Sequence, residues 1–93
     1  MTENITQNLA DLINSVNAEI RISDPDQHGD RMVVTVSNGE ATYRGTLTKS
    51  EAGYRADPLT GSAAFFCKVS TDQTHNECFY YSLKYLLEVS GLL

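Results

Sequence analysis

The stretch "RMVVTVSNGEATYRGTLT", residues 31–48, decides the fold because it predicts a long β-hairpin. Asn38-Gly39 is a preferred pair for a two-residue type I′ turn, since both central positions of that turn need positive φ. Apolar and polar residues alternate on either side of the pair, so a turn there also fixes the register of the two strands. The pairs expected on the core face are Val36–Ala41, Val34–Tyr43 and Met32–Gly45.

The other face of the predicted hairpin is polar and rich in threonine, as is usual for a sheet surface that faces solvent. Arg21 and Arg31 are expected to join Arg44 on this face. The sequence therefore predicts a sheet with one buried face and one open face. The pairs expected on the open face are Ser37–Glu40, Thr35–Thr42 and Val33–Arg44.

A helix at each end of the chain is predicted by apolar spacing and capping patterns. Residues 4–17 carry apolar side chains at helical spacing, with Asn4 as the cap. Thr74 and Glu77 form a capping-box pattern at the start of the last helix, and Gly91 fits its end.

Three further segments complete the predicted layout. Residues 18–23 alternate as a half-buried strand, and residues 63–69 predict a fourth strand, with a helical turn as the alternative. Residues 49–62 contain two glycines and a proline without a period, which predicts a long loop. The result is a single domain over residues 1–93: an α+β two-layer sandwich, with a three- or four-stranded antiparallel sheet covered on one face by the two helices.

Composition narrows the classes of function. The formal charge of −5 and a sequence pI near 4.7 argue against a protein held to phosphate by a basic surface. The chain has no apolar run of the roughly 18 residues that a membrane span needs. Its first residues have neither a basic start nor an apolar signal core, so a cytoplasmic location is expected, and the two cysteines fit a reducing compartment.

Few residues in the chain could carry catalysis or hold a metal. His75 and Cys78 are one helical turn apart, but close pairs of zinc ligands are otherwise missing and His28 lies in a distant loop. A Cys–His nucleophile pair would lack a third group to orient the base. Cys67 and Cys78 could pair as a disulfide or remain two buried thiols. An enzyme, a metal and a cofactor are therefore not expected.

The last helix is crowded with apolar side chains. Tyr80 and Leu87 lie near its polar stripe, and the Leu92-Leu93 tail follows the helix. One interpretation is that the tyrosines lie on the rim with their hydroxyls in water, while Leu87 and the tail close the end of the core. The other is that Tyr80, Leu87 and the tail meet a partner, since aromatic residues are enriched at such contacts. Tyr80, Leu87 and Leu93 are thus candidates for self-association, and a homodimer is one expected assembly.

The order of elements in residues 4–48 resembles the double-stranded-RNA-binding domain, including a first loop with Pro25 and His28. That family binds RNA through its first helix, this loop and a lysine cluster that opens its last helix. Here the last helix opens with "THNE", and residues 49–70 are an insertion relative to the family. The resemblance implies a shared scaffold, with RNA binding through Arg21, Arg31 and Arg44 as the alternative function.

In size and acidity the chain also resembles small phage-encoded inhibitors of host defence, such as anti-CRISPR proteins. The resemblance implies steric blocking, with an acidic inhibitor occupying a nucleic-acid channel on a basic host protein. The expected function is therefore non-enzymatic protein binding that inhibits a host defence or nucleic-acid-processing complex, with no membrane as partner and with nucleic acid as a partner only in the alternative function. The expected contact residues lie in the two loops: Asp24, Asp26, Asp30, Glu51, Tyr54, Arg55 and Asp57.

Overall fold

The computed structural model describes residues 5–16, 18–23, 30–59 and 61–91, with side chains from residue 9 onward. It has two helices and five strands in the order α1, β1 to β5, α2, and the antiparallel sheet follows chain order. This confirms the predicted α+β class, with five strands rather than three or four. The elements are α1 Ile5–Ser15, β1 Glu19–Ile22, β2 Arg31–Ser37, β3 Thr42–Ser50, β4 Gly53–Pro58, β5 Phe65–Lys68 and α2 His75–Val89.

The predicted central hairpin is present, but its register differs by two residues, and the predicted two-residue type I′ turn is wrong because Asn38 does not have positive φ. Val36 is opposite Tyr43 and Val34 is opposite Gly45. The Asn38 carboxamide oxygen accepts hydrogen bonds from the backbone N–H groups of residues 40 and 41 at 3.0 and 2.9 Å. The side chain at the first position of the turn therefore stabilises it. Only Gly39 has positive φ within this turn, at 89°. A slip of two residues keeps each side chain on its predicted face.

The predicted long loop at residues 49–62 is wrong, because Gly53–Pro58 forms strand β4. β4 pairs with β3 through a tight turn at residues 51–52, and it pairs with β5 on its other side. The predicted strand near residues 63–69 is confirmed as β5, with Cys67 on the core face and Phe66 on the open face.

Both helices contribute to one apolar cluster on one side of the sheet. α2 packs mainly over β4 and β5, and α1 packs against α2. The central sheet positions Val34 and Leu47 are completely buried, as are Leu83 and Leu87 on α2. The buried apolar residues are Leu12, Val16, Val34, Val36, Leu47, Tyr54, Ala56, Cys67, Cys78, Leu83, Leu86 and Leu87.

The ends of α2 follow the sequence signals. The Thr74 hydroxyl accepts a hydrogen bond from the Glu77 backbone N–H at 3.2 Å, and the Glu77 carboxylate accepts one from the Thr74 N–H at 3.0 Å. This reciprocal pair is the predicted capping box. Gly91 has a φ of +82° just beyond the helix, which confirms the predicted stop.

Candidate interaction surfaces

The face of the sheet away from the helices carries most of the positive charge of the protein. Arg21 on β1 is opposite Thr35 on β2, which is opposite Arg44 on β3. Farther along the strands, a second row joins β2, β3, β4 and β5. Its members are Arg31, Thr48, Arg55 and Phe66.

Charge is divided between the two sides of the molecule. Five of the seven lysines and arginines point from strands onto this open face, and its strands carry two carboxylates, those of Glu19 and Asp57. The open face is thus basic although the chain as a whole has a formal charge of −5. The five cations are Arg21, Arg31, Arg44, Arg55 and Lys68.

Two of the open-face arginines are held by carboxylates on their own strands. The Arg21 Nε donates to Glu19 Oε1 at 2.7 Å, and the Arg55 Nε donates to both carboxylate oxygens of Asp57 at 3.0 and 3.1 Å. These exposed i, i+2 pairs contribute little to stability. Each pair holds its guanidinium beside a carboxylate of the same strand.

A second, acidic region lies where the β3–β4 turn meets the start of α2. Asp30, Glu51 and His75 line one shallow depression there together with Lys49. The His75 Nε2 lies 2.9 Å from the Ser50 carbonyl oxygen, which anchors the start of the helix to the turn. The structure thus brings together two of the predicted contact residues, Asp30 and Glu51. It places two others, the exposed Arg55 and the partly buried Asp57, on the open face.

Some of the predicted contact residues are not available to a partner. Tyr54 is 8% exposed and packs edge-on against the Phe79 ring, with ring centroids 5.5 Å apart, so its assignment to a contact surface is wrong. The sequence did not predict that Tyr54 faces the core, because its segment was assigned to a loop and not to strand β4. Asp24 and Asp26 lie outside the described residues, as do Pro25 and His28 of the loop that resembles the RNA-binding domain.

The predicted self-association role of Leu87 is wrong, whereas those of Tyr80 and Leu93 stay predictions. Leu87 is completely buried, so it cannot contact a second chain. Tyr80 is half-buried and packs edge-on against the Tyr81 ring, with centroids 5.3 Å apart. Leu93 lies outside the described residues.

A groove runs along the free edge of β5 beneath α2, and sequence reasoning did not identify it. Its volume is about 610 Å³, and it contains the exposed rings of Phe66 and Tyr81, which are 50% and 39% exposed. The Phe65 and Tyr85 rings stack at 5.1 Å, and the Tyr85 hydroxyl donates a hydrogen bond to the Ala63 carbonyl oxygen. The alternation in "FFCK" places Phe66 on the open face, which is the one sequence signal that could have pointed here.

The two thiols lie in the core behind this groove and are not joined as a disulfide. Cys67 accepts a hydrogen bond from the Gln73 Nε2 at 2.9 Å. Burial, and then a hydrogen bond with the Cys67 thiol, raise the pKa of the Cys78 thiol to about 12. A thiol with so high a pKa is a poor nucleophile at neutral pH. Among the described residues, no group of three His, Cys, Asp or Glu side chains could hold a metal ion.

Neither helix in the described part of the chain is long and apolar enough to cross a membrane. No family model, curated protein or solved structure matches the chain.

Proposed function

We propose that this chain is a non-enzymatic protein-binding module that inhibits a host defence or nucleic-acid-processing complex by occupying a basic surface on it. The observation that carries this proposal is the division of charge between the open sheet face and the rest of the molecule. Apart from the side chains on the open face, the described residues include seven acidic side chains and only Lys49 and Lys84 as fixed cations. The seven are Asp11, Asp30, Glu40, Glu51, Asp72, Glu77 and Glu88.

A protein with charge divided in this way approaches a charged partner in a preferred orientation. The field of the acidic side steers it toward a basic surface, such as one that normally holds nucleic acid, and raises the association rate. Asp30 and Glu51 are the predicted contacts that remain exposed on the acidic side, next to the anchored start of α2. Hydrogen bonds hold the backbone beside both residues, from the Lys49 N–H to the Asp30 carbonyl at 2.7 Å and between His75 Nε2 and the Ser50 carbonyl at 2.9 Å, which limits the backbone entropy lost on binding.

The experiment is a pull-down with the tagged full chain from host lysate, with and without nuclease. Two double variants give a matched comparison: Asp30→Lys with Glu51→Lys, and Arg31→Glu with Arg44→Glu. The expected result is a stoichiometric protein partner that survives nuclease, is lost with the first variant and is kept with the second. Circular dichroism checks that both variants are folded. A partner kept by the first variant would contradict the role of the acidic side.

RNA binding on the open face is the second candidate function, and the basic open face is the observation that favours it. Threonine hydroxyls lie between the arginines, and the exposed Phe66 ring on the same face could stack on a base. This alternative predicts recovery of RNA in the same pull-down and loss of binding with Arg31→Glu and Arg44→Glu. It also predicts that affinity falls steeply as salt rises.

A further inference from the structure

We infer that two copies of this chain associate through the free edge of β5, forming one continuous sheet across a two-fold axis. β5 is the last strand in the sheet, and it pairs with β4 on one side only. An unpaired strand edge presents a row of backbone donors and acceptors that can template another strand.

The hydrogen bonds between β4 and β5 identify which backbone groups face outward. The Val69 N–H donates to the Ala52 carbonyl at 2.8 Å. Because the direction of the backbone N–H and C=O groups alternates along an antiparallel strand, those of residues 65 and 67 also point toward β4. The N–H and C=O groups of Phe66 and Lys68 therefore point away from the sheet. Within the described residues, no backbone group bonds to these outward groups.

This edge is complementary to itself. When two β5 strands run antiparallel about an axis at Cys67, Phe66 of each copy is opposite Lys68 of the other. Each of these two pairs exchanges both of its backbone hydrogen bonds, so all the outward groups of Phe66 and Lys68 are satisfied. The same pairing places the Lys68 ammonium beside the Phe66 ring on the open face, where a cation–π contact adds to the attraction.

The groove next to this edge supplies the apolar area that such a contact would bury. Phe66 and Tyr81 are two of the large apolar side chains that the described residues leave exposed, and both line the groove. Its charged residues are of both signs, Lys68 and Lys84 with Glu88. Two grooves that face each other therefore do not repel as surfaces of like charge. The acidic region at Asp30 and Glu51 lines a separate depression and remains free for another partner.

Any extended strand could bond to the outward backbone groups, but a second copy also pairs each Phe66 ring with a Lys68 ammonium and brings Glu88 of one groove together with the lysines of the other, so a second copy is favoured. An isologous contact of this kind also closes after two subunits. An extended segment of another protein on the same edge is the competing occupant.

The test is sedimentation velocity of the full chain from micromolar to near-millimolar concentration, with wild type, Lys68→Pro and Lys68→Ala. Proline at position 68 removes an outward N–H that has no role within one copy, so the fold should tolerate it at this edge. We expect a reversible dimer for wild type, at least a tenfold higher dissociation constant for Lys68→Pro, and a smaller increase for Lys68→Ala, which keeps the backbone donor. A wild-type chain that stays monomeric throughout, or an equal constant for Lys68→Pro, would overturn the inference.

Amide hydrogen exchange on the wild-type chain provides a second test that needs no variant. The Phe66 and Lys68 amides should become protected as concentration rises, while the Cys67 amide, which faces β4, stays protected throughout. Rapid exchange of Phe66 and Lys68 at all concentrations would contradict the inference. So would protection that appears only after a foreign partner is added, because that result assigns the edge to another protein.

Discussion

Gly45 on β3 and Leu86 on α2 are in such close contact that a Cβ built on Gly45 would lie 2.8 Å from Leu86 Cδ2. Gly45 faces the core opposite Val34, so the missing side chain lets α2 approach the middle of the sheet. A side chain at position 45 would therefore take the space that Leu86 occupies.

Replacing Gly45 by alanine should therefore destabilise the protein by about 1–3 kcal/mol, the usual effect of overpacking a core. The two nearest atoms belong to the flexible Leu86 side chain and the third is the Asp57 backbone carbonyl oxygen at 3.3 Å, so the cost should fall in part when Leu86 is shortened. A double-mutant cycle of Gly45→Ala with Leu86→Ala, followed by urea unfolding, measures this coupling. Equal costs of Gly45→Ala in both backgrounds would show that Leu86 is not what restricts position 45.

Gly53 should tolerate alanine less well than Gly45. Its φ is +145°, and a Cβ there would lie 1.9 Å from the Cys67 carbonyl oxygen, which is backbone and cannot rotate away. Gly53→Ala should cost more than about 3 kcal/mol or prevent folding. Gly61→Ala is the matched control, since Gly61 has a φ of +91° with no atom within 4 Å and should cost only the backbone strain of about 1–3 kcal/mol. Thermal unfolding measures the melting temperatures of both variants. Equal decreases in melting temperature would argue against a clash between the alanine Cβ at position 53 and the Cys67 carbonyl oxygen.

The sequence predicted the α+β class, the central hairpin and the α2 cap because each rests on local chemistry. It did not predict β4, although Tyr54 and Ala56 alternate with Arg55 there. Gly53 and Pro58 at the ends of that segment gave it the appearance of a loop, and its partners on both sides are set by tertiary pairing. The sequence predicted Arg21, Arg31 and Arg44 on the open face, but it did not add Arg55 and Lys68, because their places depend on the pairing of β4 and β5.

Ser82 offers a change that should stabilise the protein. Its side chain is completely buried on α2, and its hydroxyl has no hydrogen-bond partner among the described residues. Alanine removes an unsatisfied polar group and is the better helix former, so Ser82→Ala should raise the free energy of unfolding by about 0.5–2 kcal/mol. Ser90→Ala is the control, because the Ser90 hydroxyl donates to the Leu87 carbonyl at 2.8 Å and its loss should not stabilise. A destabilised Ser82→Ala would mean that the hydroxyl has a partner in solution.

The protein should lose stability as pH rises above about 9. Burial, followed by the hydrogen bond with Cys67, raises the pKa of Cys78 from 9.0 to about 12, and burial also raises the pKa of Tyr54 above its ordinary value of 10.0. Between pH 9 and about 12 the unfolded chain therefore binds fewer protons than the folded chain, so the free energy of unfolding falls with pH. Below pH 9 the Cys78 contribution is fully present. Urea unfolding across this range should show a steeper fall for wild type than for Cys78→Ala, whereas parallel curves would mean that Cys78 does not cause the loss.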